Sequence, residues 1–142
     1  MTLRRRIRTR LHLLQAHEAG SQVVELALML PVLLAVFCGV MECGRILFTH
    51  AALNFAAQEA TRYATVNYDA TIEDIKTIAK SRLIVIDSSK IIDIDVPPLE
   101  PDPVDQTKLV TVEIAYLFQP ILPIGLGSFT MTGHSRGFRV DQ

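Results

Sequence analysis

One nearly continuous apolar run constrains this chain more than any other feature. Val23 to Gly44 reads VVELALMLPVLLAVFCGVMECG and contains two carboxylates, Glu25 and Glu42. As a helix its 22 residues extend about 33 Å at ~1.5 Å per residue, close to the roughly 30 Å of a bilayer's hydrocarbon core. The run therefore predicts one transmembrane helix. It also accounts for part of the 49% hydrophobic content, and the remainder of the 142 residues is an ordinary soluble mixture with room for one small domain.

Charge is divided unevenly around this run. Arg4, Arg5, Arg6, Arg8 and Arg10 stand against Glu18 in the first 20 residues, whereas 9 basic and 14 acidic residues follow. Arginines clustered just before an apolar helix are retained in the cytoplasm, so the N-terminus is expected inside and the acidic C-terminal part across the membrane. RRRIRTR can also be read as a nucleic-acid-binding arm. The neighbouring helix already explains it, and no nucleic-acid partner is expected. Cys38 and Cys43 lie about 140° apart around one helix and cannot bridge each other. Packing is their expected role, and the exported part has no disulfide framework.

The helical pattern continues past the membrane run. No Pro or Gly occurs between Gly44 and Val66, so a single helix of about 45 residues, about 65 Å long, is expected from Ser21. Ala52, Ala56, Ala60 and Ala64 recur every four residues. They either form a small-residue stripe for close packing or simply raise helix propensity. Next comes TIEDIKTIAKSRL, where Thr71 and Asp74 have capping-box spacing and Ile72, Ile75, Ile78 and Ala79 mark one face. This predicts a short second helix ending near Asp87.

IIDIDV then alternates apolar with acidic as a half-buried strand does, and PPLEPDPVDQ ends it with four of the seven prolines. Lys108 to Phe118 and Ser128 to Val140 read as two further strands joined by a loop from Gln119 to Gly127. The expected fold class is α+β: a long N-terminal transmembrane helix extending into a small domain with a short helix and a roughly three-stranded antiparallel sheet. The expected divisions are a basic cytoplasmic leader (1–20), a transmembrane and extended helix (21–66), and a periplasmic or extracellular α+β domain (67–142). A domain of that size buries a limited core alone and would gain stability by laying its sheet on the outer half of the helix.

Catalytic and metal motifs are weak. GHSRG, Gly133 to Gly137, matches the nucleophile elbow G-x-S-x-G, but only five residues follow it and none is His. His12, His17, His50 and His134 are dispersed, without metal-ligand spacing. Asp87, Asp93, Asp95, Asp102 and Asp105 lack the spacing and glycine of a calcium loop, so a solvated acidic face is expected. The chain is read as neither an enzyme nor a metal or cofactor protein.

Chemistry specific to a function lies at the start. G-S-Q-V-V-E, Gly20 to Glu25, resembles the processing site of type IV prepilins, in which a membrane peptidase cuts after glycine and glutamate stands fifth in the mature chain. The longer stretch resembles the TadE-like family, pseudopilins of the tight adherence (Flp) pilus system. The residues carrying that resemblance are Glu25-Leu26-Ala27-Leu28, Pro31, Gly39, Glu42-Cys43-Gly44-Arg45, Asn54 to Ala57, Glu59, and Arg62-Tyr63-Ala64. Leu26 departs from the tyrosine of major Flp pilins, and Gln58 replaces an arginine often found there.

The resemblance implies an inner-membrane, single-pass minor pilin cut between Gly20 and Ser21, with its C-terminus periplasmic or carried into an extracellular pilus. Its implied partners are the prepilin peptidase, other TadE-like or minor pilins, the major Flp pilin, the inner-membrane assembly platform and membrane lipid. A charge deep in lipid costs about 2.5–3.5 kcal/mol on insertion scales. The expected role of Glu25 is to pair with the freed Ser21 amine of a neighbour and set register during assembly. Glu42 with Arg45, and Glu59 with Arg62, are three apart and are expected to form ion pairs on the helix. The other reading is an uncleaved single-pass envelope protein with a periplasmic binding domain.

Overall fold

A computed structural model of the chain describes residues 3–98, 100–101, 107–121 and 127–140, with side chains from Gly20 onward except at 100–101. The side chains of the arginine-rich leader, most of the PPLEPDPVDQ loop, and Asp102 and Asp105 lie outside the described residues. The chain comprises helix α1 (Leu3–Val66), helix α2 (Ile72–Arg82), a 3-10 turn (Ser88–Lys90), and strands β1 (Ile91–Asp95), β2 (Glu100–Pro101), β3 (Thr107–Phe118) and β4 (Phe129–Val140). It divides into compact units 1–41 and 42–142, so the outer part of α1 belongs with the sheet.

In the first unit, α1 contains Pro31 and presents Leu28, Val32 and Leu33 at 72%, 66% and 51% exposure. A helix apolar on every side and uncovered by protein needs an apolar solvent. The stretch Gly20–Val66 includes a window of mean hydropathy 2.5 and is the one helix among the described residues long and apolar enough to cross a membrane.

In the second unit, β3 is the spine of an antiparallel sheet. β4 pairs with it along its whole length, from Thr107 opposite Val140 to Phe118 opposite Phe129. β1 occupies one stretch of the other edge and the two-residue β2 another. The three expected strands are present, and β2 is an addition that the prolines around Glu100 concealed. Alternation along VTVEIAYLF puts Val110, Val112, Ile114, Tyr116 and Phe118 on the covered face. In β1 a register shift between Ile91 and Asp93 interrupts this alternation. The bulge turns Ile91 toward the core and leaves Ile92 56% exposed, while Ile94 still faces Ile114.

α1 covers this sheet with Leu53, Ala56, Ala57, Ala60 and Ala64, and α2 adds Ile75 and Ala79, followed by its C-cap Leu83. Of the alanine stripe, Ala56, Ala60 and Ala64 are fully buried and Ala52 is half-buried. The small side chains therefore serve close packing. α2 starts with the expected capping box: the Asp74 amide donates to the Thr71 hydroxyl at 3.3 Å, and the Thr71 amide donates to the Asp74 carboxylate at 3.0 Å. It ends at Arg82 rather than near Asp87. Leu83 turns into the core there, and Asp87 instead caps the 3-10 turn by accepting from the Ser89 amide at 3.1 Å.

Candidate functional site

The functional residues read from the sequence fall at three levels along α1. Gly20, Ser21 and Glu25 lie at the N-terminal end of the apolar run, exposed and helical. Gly20 is the first glycine of α1, and glycine inside a helix costs roughly 1 kcal/mol relative to alanine. Glu25 is exposed on its helix.

Glu42 and Arg45 form the second level, where the apolar run ends. Their spacing places them on one face of α1, and Arg45 Nη1 donates to Glu42 Oε1 at 2.8 Å. The same oxygen accepts a long hydrogen bond of 3.4 Å from the backbone N–H of Ile121, just after β3. The Arg45 guanidinium also lies over the Phe118 ring, 5.1 Å from its centroid. The Glu42 side chain is only 6% exposed and that of Arg45 37%. A carboxylate so enclosed requires compensating donors. It receives a cation from its own helix and an amide 79 positions away in sequence.

At the third level, Glu59 Oε1 lies 3.9 Å from Arg62, and Glu59 Oε2 lies 3.6 Å from Arg82 on α2. The arginine side chains are 78% and 51% exposed. Screening limits such pairs to under about 1 kcal/mol each. Only the Glu59–Arg82 pair joins α2 to α1.

GHSRG lies within β4 and is occupied by packing. Gly133 and Gly137 are two steps of the pleat apart on the face that meets α1. A Cβ on Gly133 would stand 2.6 Å from the backbone carbon of Leu53, and one on Gly137 2.7 Å from Thr61 Cγ2. Ser135 lies between them, opposite Val112, on the same covered face. The His134 amide donates to the Asn54 side-chain oxygen at 3.3 Å. Sequence reasoning missed this docking function, although isolated glycines within a strand signal close approach of another backbone. The Ile121 and Arg82 contacts carried no sequence signal, because each depends on where distant elements pack.

A groove of about 470 Å³ separates α2 from β1, lined by Lys76, Lys80, Ile92 and Asp93 among others. Among the described residues no group of three His, Cys, Asp or Glu side chains could hold a metal ion.

The family model described as TadE-like protein matches residues 20–62. This is the family that Gly20 to Ala64 resemble, and it associates the chain with the tight adherence pilus. The match begins at Gly20 and takes in the levels of Glu25 and Glu42 and most of the third. No curated protein matches the chain. No solved structure matches it.

Proposed function

We propose that this chain is a minor pilin, or pseudopilin, acting in the assembly or initiation of a tight adherence pilus after its leader is cut between Gly20 and Ser21. One observation carries the reading: the TadE-like match starts at Gly20 and runs to residue 62, through both the apolar span and the helix that docks on the sheet. The chain sits in the inner membrane with its N-terminus cytoplasmic and its sheet domain periplasmic. It works with the prepilin peptidase, the major Flp pilin, other minor pilins and the assembly platform. Its function is structural and not catalytic.

Glu25 supplies the register. While the span lies in lipid, the carboxylate is close enough to the interface to remain solvated. When helices leave lipid and bundle together, an unpaired carboxylate in the bundle is costly, and the Ser21 amine of a neighbour offsets that cost. Glu25→Ala should be cut normally yet yield few or no fibres, as read by mass spectrometry of the membrane-bound chain and electron microscopy of the cells. Wild-type fibre numbers in the variant would remove Glu25 from the mechanism.

A further inference from the structure

We propose that the sheet face turned away from α1 and α2 is the contact surface for a second copy of this chain, which packs on it face to face. Alternation places Leu109, Thr111 and Glu113 of β3 on this face, with their cross-strand partners Phe138, Arg136 and His134 of β4 beside them. The helices occupy the opposite face, over Val110, Val112 and Ile114. Among the described residues nothing covers the outer one.

Its charges are not balanced within one chain. Asp95 of β1 stands directly opposite Glu113, and like charges so placed destabilise a strand pair. Arg136 is exposed one pleat further along β4. Among the described residues none of these three has an ion-pair partner. Two carboxylates lacking a cation and a cation lacking a carboxylate therefore share one open surface.

A two-fold axis parallel to the strands, between β3 and β4, resolves this. It keeps every residue at its own level along the strands and lays β4 of each copy over β3 of the other. Phe138, 67% exposed, then meets the second copy's half-buried Leu109, with which it is level. Arg136 comes over the second copy's Thr111, two residues or about 7 Å along the strand from Glu113, a distance an arginine side chain covers. Asp95 flanks that glutamate on the neighbouring strand. The symmetry makes each contact twice. One register thus satisfies the apolar and the charged groups together, so the face is complementary to itself and a second copy is the occupant it fits.

Sedimentation velocity of the full-length protein in detergent tests this, using Glu113→Arg, Arg136→Glu and the double variant, with circular dichroism to follow melting. A dimer is expected for the wild type, loosened by added salt. Each single variant should associate at least roughly tenfold more weakly, and the double variant, with its charges exchanged, should recover. Glu113→Arg also removes the repulsion from Asp95 inside each chain. Its weaker association should therefore come without a lower melting temperature, which separates a lost contact from a damaged fold. A monomeric wild type would overturn the proposal. So would single variants that dimerise like the wild type, which would move the association to the apolar run of α1. A well-folded double variant as weak as the single ones would overturn it equally.

Discussion

Replacing Gly133 by alanine tests whether α1 rests directly on β4. The new Cβ would stand 2.6 Å from the carbon and Cβ of Leu53 and 2.8 Å from its oxygen. Helix backbone cannot rotate aside, so either α1 or β4 must move. Because the clash is with backbone atoms the cost lies at the upper end of the roughly 1–3 kcal/mol of overpacking, and alanine's lower flexibility in a strand offsets up to about 1 kcal/mol, leaving a net loss of about 1–2 kcal/mol. For a domain of this size each kcal/mol moves Tm by roughly 4–8 °C, so a fall of about 5–15 °C is expected. Thermal unfolding of the full-length protein in detergent, followed by circular dichroism, would measure it.

Gly137→Ala is the internal comparison. Its Cβ meets two side-chain methyls, Thr61 Cγ2 at 2.7 Å and Thr65 Cγ2 at 3.0 Å. Its smaller loss should be largely restored by Thr61→Ser, whereas no truncation at Leu53 removes the backbone clash at Gly133. Wild-type melting of Gly133→Ala would refute the docking geometry and return GHSRG to the pool of unexplained motifs.

Other consequences follow from the polar contacts. Glu42→Ala should release the Ile121 amide and leave Arg45 without its carboxylate, costing about 1–3 kcal/mol and accelerating hydrogen exchange at Ile121. The side-chain and backbone hydrogen bonds from Thr71 hold the Asp74 carboxyl below its ordinary 3.8. Its contribution to α2 is therefore present above that value and is lost as pH falls through the lower folded value. Thr71→Ala, which removes the hydroxyl donor and keeps the backbone one, should diminish this acid-dependent component of α2 stability, as read by amide shifts across a pH series. Burial, reinforced by the nearby charge of Asp87, pushes the Tyr116 hydroxyl above 10.0. An ultraviolet titration should show a tyrosine ionisation above the ordinary 10.0, a step that disappears in Tyr116→Phe.

Hydropathy alone made the span legible, because an apolar stretch of this length has few other ways to fold. Thr71 with Asp74, and the alternation of β3, were likewise readable because caps and pleats are local. The bulge at Ile92 was not: from Ile92 to Val96 the residues alternate without a break, and only pairing with β3 reveals the extra residue. Past Arg82 the sequence stays apolar at Ile84 and Val85, which the fold leaves 85% and 68% exposed. For the site, the Glu42–Arg45 and Glu59–Arg62 spacings follow from helix geometry. The shared Glu42 oxygen, the Arg82 contact and the two docking glycines are tertiary facts, set by which distant segments meet α1.

The central claim is that this is a processed pilin-like subunit, and the state of the Gly20–Ser21 bond tests it most directly. Intact mass and N-terminal sequencing of the protein from membranes, with and without the prepilin peptidase, would read that bond. A chain beginning at Ser21 only when the peptidase is present is the predicted result. A chain retaining Met1 to Gly20 under both conditions would contradict the account, leaving an uncleaved envelope anchor and no role for Glu25 in register.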